Sequence, residues 1–482
     1  MNKIYPVAEL SGLLEDDLQI LNFRFAYKGR LMWPYIRGIL MQSAVIEMFQ
    51  WDFPIGQKKK IIPKDIIPYG LNVLTKNPFR PIRSTTSDII FFSSSIVNVL
   101  SEDGVYVNRL YDHFALDFQE SSLIIEDSLS KQFRFMTPRQ CPHVRYNDWI
   151  LIHSLLKSKV FKKNTSDLTT IDHLLNFLKK RLPLALNDAL WANMSSVLNL
   201  ISGLLPYLDE YYQRLFRILE PKIVFLEDAS YGHKCHILNA AHEMGLMTGE
   251  FQHGAFHKNH FAYIYNNLLN SEYVNYLPRY LMSYGEYWRH FPKTSSEIVT
   301  IGNPYIIEYT KNIMIKPKAK EQILFISGGS KTTLLNESLV YLINELGSDQ
   351  YEFVIRPHPA EYNFITERYS SMISRGDVKI SIDNLFASLS KADKIVSFES
   401  STVLFEALVF DNQIFLHNRA DVSYFIDPDI FSPFQSKEEL LSMILSPPTR
   451  KYSSGSMWDP FWKENFRRFI FDQFGLKNTT IV

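Results

Sequence analysis

Tyr351-Glu352-Phe353-Val354-Ile355-Arg356-Pro357-His358-Pro359 and, further along, Lys394-Ile395-Val396-Ser397-Phe398-Glu399-Ser400-Ser401-Thr402-Val403-Leu404-Phe405-Glu406 decide how this chain folds. Each opens with a short apolar run of the kind a buried parallel strand makes. Each then ends in polar residues able to do chemistry. A guanidinium, an imidazole, three hydroxyls and a carboxylate are therefore expected at the carboxyl ends of two strands in one α/β layer. In open α/β sheets ligands bind at those ends. The set suits a nucleotide monophosphate or diphosphate with its ribose.

Working outward, Ile323-Leu324-Phe325-Ile326 reads as a strand that ends in Ser327-Gly328-Gly329-Ser330, followed by a helix from Leu334 to Leu346. Strands at 353–355, 378–380, 394–396 and 413–416 alternate with helices at 385–390 and 402–409, which implies a doubly wound sheet. An earlier series has the same character. Ser87-Asp88-Ile89-Ile90-Phe91-Phe92 runs into Ser93-Ser94-Ser95, and 106–108 and 122–125 are further strand candidates. Ile223–Leu226, a helix from His233 to Met244 closed by Gly245, and Met247–Phe251 form a βαβ unit and so a parallel pair. Strands at 280–283 and 298–301 follow. Residues 1–85 and 148–219 read as helical additions, with two to four helices in the latter and loops at 58–64 and 77–83. The break at Gly302-Asn303-Pro304 and the charged stretch Lys316–Glu321 place a boundary at 305–320. The expected organisation is an acceptor-side domain over 1–310, a donor-side domain over 311–455, and a tail over 456–482. The tail's aromatic-rich helix, Trp458 to Phe474, is expected to pack back on the first domain.

Composition removes several classes of function. Lys+Arg and Asp+Glu each total 51, and charged residues are 21% of the chain, so a globally basic nucleic-acid binder is excluded. Cys141 and Cys235 are the two cysteines, too few for a disulfide scaffold or a CxxC knuckle. Met1-Asn2-Lys3-Ile4 opens no apolar signal region, and no apolar run is long enough to span a bilayer. The chain reads as cytoplasmic. Lys58-Lys59-Lys60 reads as a solvated loop, with peripheral contact to the inner membrane's cytoplasmic face as the secondary reading.

Pro357 and Pro359 stiffen the loop between them by fixing φ. Arg356 suits bidentate pairing with phosphate, and His358 suits donation to a leaving group as charge develops. Ser400, Ser401 and Thr402 sit where a strand turns into a helix, a place that favours an anion, and Glu406 lies one turn on, in reach of ribose hydroxyls. Ser327-Gly328-Gly329-Ser330-Lys331-Thr332 lacks the spacing of a P-loop, but Gly328 and Gly329 still let backbone approach a phosphate or sugar. In the first series, Glu227-Asp228 and Gln252-His253-Gly254 each follow a strand of one βαβ unit, so a carboxylate and an imidazole converge at one sheet edge. Asp228 is the first candidate for a general base and Glu227 the second, because alternation along a strand turns only one of them to the cleft. His253 is expected to orient the acceptor or steady the donor phosphate. The stretch Asn108–His113 offers further acceptor contacts. His233, His236, His242, His253, His257 and His260 are dense but carry no H-E-x-x-H pattern, so neither a metal nor a cofactor is expected.

The combination of Gln252-His253-Gly254, Gly302-Asn303-Pro304, Arg356-Pro357-His358-Pro359 and Ser400-Ser401-Thr402 through Glu406-Ala407-Leu408 resembles bacterial surface-polysaccharide GT-B glycosyltransferases. Among these are capsule Kdo transferases, bacterial sialyl- and polysialyltransferases and CDP-glycerol glycerophosphotransferases. The resemblance covers about residues 220 to 420. It implies two Rossmann-like domains facing a cleft. It also implies a nucleotide-sugar donor, with CMP-sugars favoured, and a glycan or lipid-linked glycan acceptor. By that resemblance His358 corresponds to a motif touching the donor's CMP part, Ser400-Ser401 to a serine pair, and Glu227-Asp228 to an acidic motif that supplies the base. Ala229 stands where that motif has glycine. Inverting, metal-independent transfer is the implied reaction. A UDP-sugar 2-epimerase-like enzyme and a non-catalytic nucleotide-sugar or glycan-binding subunit are the competing readings.

Overall fold

The computed structural model describes residues 3–51, 63–80, 87–101, 103–128, 135–160, 166–311, 319–328, 332–410, 412–427, 430–447 and 454–476. The expected loop at Lys58-Lys59-Lys60, residues 316–318 of the charged stretch, and the Gly329-Ser330-Lys331 part of the glycine-rich turn lie outside the described residues.

In chain order the strands are β1 Ile89–Ser94, β2 Asn98–Leu100, β3 Tyr106–Asn108, β4 Ser122–Asp127, β5 Val144–Tyr146, β6 Ile223–Leu226, β7 Met247–Phe251, β8 Tyr280–Ser283, β9 Glu297–Thr300, β10 Glu321–Ile326, β11 Tyr351–Arg356, β12 Val378–Ile380, β13 Lys394–Ser397, β14 Gln413–His417 and β15 Ser432–Phe434. They make two large sheets, ordered β5-β4-β1-β6-β7-β8-β9 and β12-β11-β10-β13-β14-β15, and every pairing in both is parallel. Counted from its own first strand, each sheet begins 3-2-1-4-5-6, the Rossmann order. The fold is α/β with two doubly wound sheets, as the alternation of apolar runs and helices predicts. One strand candidate differs: β3 pairs antiparallel with β2 in a separate hairpin, not in the large sheet. Its Tyr-Val-Asn sequence is too short to mark which sheet it joins.

The parallel strands are buried on both faces. Ile89 and Phe91 of β1 point into one core, while Ile90 and Phe92 point into another against the helix Asp188–Leu219. The first of these cores is shared by both halves, since it also holds Leu324, Ile326, Val354 and Ile395 of the second sheet. The helix Trp462–Phe474 belongs to it as well. Phe466 stacks 4.5 Å from Phe114, and Arg467 pairs with Asp117 at 2.7 Å. Gly302, at φ +87°, lies beneath this returning segment, where a Cβ would overlap the Asp459 carbonyl and Trp462. The glycine of Gly302-Asn303-Pro304 thus has a packing reason.

Three helices fill 148–219: Asp148–Val160, Ser166–Arg181 and Asp188–Leu219. The last two join Val7–Glu15 and Trp33–Phe49 in a further core. At its centre Arg37 Nε donates to Glu15 Oε1 at 2.6 Å, with both side chains buried. The same guanidinium donates to the Ile264 carbonyl at 2.8 Å, bonds the Phe261 carbonyl, and lies 4.4 Å over the Tyr265 ring. Arg37 therefore fixes the chain just beyond His253. Removing one partner of a buried pair leaves an uncompensated charge, typically costing about 3–5 kcal/mol. Glu15→Ala is expected to lose about that much stability in urea denaturation, and a loss under ~1 kcal/mol would show that Arg37 is satisfied by the carbonyls alone.

Candidate active site

Parallel pairing puts the carboxyl ends of all strands of a sheet at one edge, and the point where strand order reverses opens a crevice there. In the first sheet that point lies between β1 and β6, and β6 runs directly into Glu227-Asp228. Glu227 turns inward. It is 3% exposed, and its Oε2 accepts from Ser93 Oγ at 3.0 Å and from the Ser94 N–H at 2.6 Å. Burial raises its pKa while the nearby Lys234 ammonium opposes the rise. Buried and bonded through Oε2 to the β1 loop, Glu227 ties β1 to β6 and does not turn outward as Asp228 does.

Asp228 takes the opposite course. Its backbone is left-handed, φ +55°, a region that Asp tolerates better than most residues. The kink turns the carboxylate out to a side-chain exposure of 35%, where Oδ1 stands 3.2 Å from His253 Nδ1. Neither atom has an aligned hydrogen-bond partner among the described residues. His253 Nε2 lies 3.2 Å from the Tyr231 hydroxyl, which in turn lies 3.3 Å from His260 Nε2. The imidazole is aimed by its neighbour: Gln252 donates through Nε2 to the Gly254 carbonyl at 2.7 Å and accepts from the Tyr284 N–H at 2.8 Å. Gly232, at φ +92°, lets this turn press against the Trp33–Phe49 helix, because a Cβ there would overlap the Pro34 carbonyl.

Glu250 was not among the candidates. It lies in β7, fully buried, and accepts from the Ser230 N–H at 2.9 Å, Ser230 Oγ at 2.5 Å and the Tyr263 hydroxyl at 2.8 Å. Burial pushes its pKa up to about 7, against the opposing pull of those donors and of His253. It braces the turn that carries Asp228. The legible signal was an acidic residue inside the short apolar-flanked run Met-Thr-Gly-Glu-Phe.

In the second sheet the reversal lies between β10 and β13, so the ends of β11, β10 and β13 lie side by side. At the usual spacing of ~4.8 Å between strands, the β11 and β13 ends stand roughly 10 Å apart, with Ser327-Gly328 between them. His358 caps the turn after β11: its Nδ1 accepts from the Ala360 N–H at 3.2 Å, and its own N–H donates to Glu361 Oε2 at 2.8 Å. Accepting at Nδ1 places the neutral ring's proton on Nε2. Arg356 departs from the expected phosphate clamp. It is 8% exposed and donates through Nη1 to the Asp383 carbonyl at 2.7 Å and to Ser388 Oγ at 3.0 Å, tying down the loop before Leu385–Lys391. Ser400 and Ser401 are partly exposed, and Ser401 Oγ accepts from the Val403 N–H at 3.3 Å, leaving its hydroxyl hydrogen free to donate. A Cβ on Gly328 would overlap the Glu399 carboxylate, so the glycine permits that contact.

The two edges meet. Thr402 Oγ1 accepts from the Ala255 N–H at 3.4 Å, joining the loop after His253 to the helix Thr402–Ala407. Beside this contact a cavity of only about 20 Å³ is lined by Arg109, His253, Asn303, Tyr305, Phe386 and Glu406. Glu406 is half-buried there, its pKa raised by burial and lowered by Arg109. Of the stretch Asn108–His113, Arg109 reaches this cavity; Asn108 and Asp112 are buried and bind Ser93 and Arg139. Among the described residues no three His, Cys, Asp or Glu side chains gather as a metal site requires. No helix of the described residues is long and apolar enough to cross a membrane.

No protein-family model matches the chain, and no curated protein matches it. Solved structures do align with it. The UDP-GlcNAc 2-epimerase of Neisseria meningitidis, solved with UDP-GlcNAc, is 12% identical over 80% of this chain and 98% of its own, with a TM-score of 0.45. The UDP-GlcNAc 2-epimerase of Methanocaldococcus jannaschii is 9% identical over 79% and 98%, TM-score 0.44. The lipopolysaccharide outer core galactosyltransferase WaaB is 10% identical over 80% and 99%, TM-score 0.42.

The raised pKa of Glu250 has a definite sign. Below about 4.5 the carboxyl is protonated in both folded and unfolded chains. Between 4.5 and about 7 the folded form binds more protons than the unfolded, so stability falls as pH rises. Glu250→Gln removes this term, and its stability relative to wild type should grow across that window by up to ~3 kcal/mol. Urea denaturation at several pH values tests it; a constant difference would mean an ordinary carboxylate.

Proposed function

We propose that this protein is an inverting, metal-independent glycosyltransferase that takes a sugar from a nucleotide-activated donor, a CMP-sugar in preference, and adds it to a growing surface glycan. The observation that carries this reading is the Ala255–Thr402 contact. It joins the loop that follows the half-buried Asp228–His253 pair's imidazole to the helix that follows Ser400-Ser401, which supports a reading in which the two edges act on one ligand. The acceptor is a glycan or lipid-linked glycan bound at the first edge, and the nucleotide lies over the second.

In the proposed reaction, Asp228 takes the proton of an acceptor hydroxyl. The oxygen forms its bond to the donor's anomeric carbon from the side opposite the nucleotide. The bond from that carbon to the phosphate oxygen breaks, and the electron pair leaves with the nucleotide. His253 steers the Asp228 carboxylate and the acceptor. His358 Nε2–H and the Ser400 and Ser401 hydroxyls donate to the departing phosphate, where hydrogen bonds strengthen as charge develops. Glu406 accepts from ribose hydroxyls. Arg356 holds the loop that frames this site. A ligand of nucleotide-sugar size needs roughly 300–1,000 Å³, so the halves part to admit the donor and return around it.

Thermal denaturation with CMP, CDP, UDP and GDP tests the donor site, since a ligand of the folded state raises the midpoint. A pyrimidine nucleotide is expected to raise it and to lose that effect in His358→Ala; no shift with any of the four sinks the reading. Asp228→Asn should keep the shift while transfer falls about 10²-fold or more. Release of UDP without any acceptor would favour the epimerase instead.

A further inference from the structure

The helix Pro63–Thr75 carries two apolar faces, and the rest of the chain uses one of them. On its inner side Tyr69 and Val73 are buried, Tyr69 stacks on Phe135 at 5.1 Å, and its hydroxyl donates to Asp148 Oδ1 at 2.7 Å. On its outer side Ile66, Ile67, Leu71 and Leu74 are 46%, 72%, 58% and 57% exposed. At about 100° per residue these four, with Gly70 among them, cover an arc of roughly 140°, and Tyr69 and Val73 fall outside it. Four large aliphatic side chains on one exposed arc are a patch, not scattered surface residues. On the neighbouring helix Asp148–Val160, Leu156 and Val160 are also exposed, while Lys157 pairs with Glu210 at 3.1 Å.

Charge identifies the occupant. From 58 to 83 the sequence holds Lys58, Lys59, Lys60, Lys64, Lys76, Arg80 and Arg83 against the single acid Asp65, in a chain whose charges balance overall. Lys76 and Arg80, which follow the helix, are exposed. Aliphatic side chains flanked by basic ones suit the interface of an anionic bilayer, where the former enter the acyl boundary and the latter meet the headgroups. We propose that this helix docks the protein peripherally on an anionic lipid surface. The proposal is independent of the transfer reaction, because its readout is lipid binding alone.

The test is flotation of the full chain with phosphatidylcholine vesicles, with and without about one third phosphatidylglycerol. Wild type should float with the anionic vesicles, about tenfold or more weakly with neutral ones, and should be released by high salt. The double variant Ile67→Asp with Leu71→Asp should bind anionic vesicles at least about tenfold more weakly while keeping its melting midpoint, since both side chains are exposed. Lys76→Glu with Arg80→Glu should also weaken binding and reduce its salt dependence. Unchanged binding in the Asp variant, or no binding of wild type to anionic vesicles, overturns the proposal. So does a wild-type dimer that the Asp substitutions dissociate, which would assign the face to a second copy of the chain.

Discussion

All-parallel pairing is the constraint on which the rest of this molecule depends. A parallel strand must be reached by a crossover, so every loop that leaves a carboxyl end emerges at one edge of its sheet. Both sheets here reverse their order beside their first strand, the place where open α/β sheets bind ligands. Asp228 and His253 lie on adjacent strand ends for this reason, and so do Ser327-Gly328, His358 and Ser400-Ser401. The shared apolar core and the helix Trp462–Phe474 then hold the two edges toward one another.

Within the first edge the deciding interaction is a division of labour between acidic neighbours. Glu227 and Glu250 are both buried, and each satisfies its oxygens with hydroxyl and backbone donors. Between them they clamp the β1 loop and the turn at Ser230. Asp228, between the two clamps, is the acid that faces out. Burial pushes the Glu250 pKa up to about 7, against the pull of the Ser230 and Tyr263 donors that it braces.

The strands that were legible in the sequence are mostly those with continuous apolar runs, because burial on both faces demands them: β6, β8, β10 and β13 lie within a residue or two of their expected limits. The edge strands β5 and β15 escaped notice. Val144-Arg145-Tyr146 and Ser432-Pro433-Phe434 are three residues each, and a proline inside a run argues against a strand except at an edge. The site was legible in kind and not in detail. Strand ends rich in Ser, His and acid could be read off, but the left-handed turn at Asp228 and the inward rotation of Arg356 are set by tertiary contacts with no local signature. Simple alternation pointed to one exposed acid of the Glu227-Asp228 pair; the backbone kink, not alternation, is what separates them.

The commitment of Arg356 bears on the chemistry of the donor. A guanidinium free to grip phosphate would suit a diphosphate, whose two groups carry more charge than one neutral site can stabilise. Here its Nη1 is bonded to the Asp383 carbonyl and Ser388, and the other donors at the strand ends are an imidazole Nε2–H and serine hydroxyls. Neutral donors suit a single phosphate better than two, because each contributes a dipole and not a compensating charge.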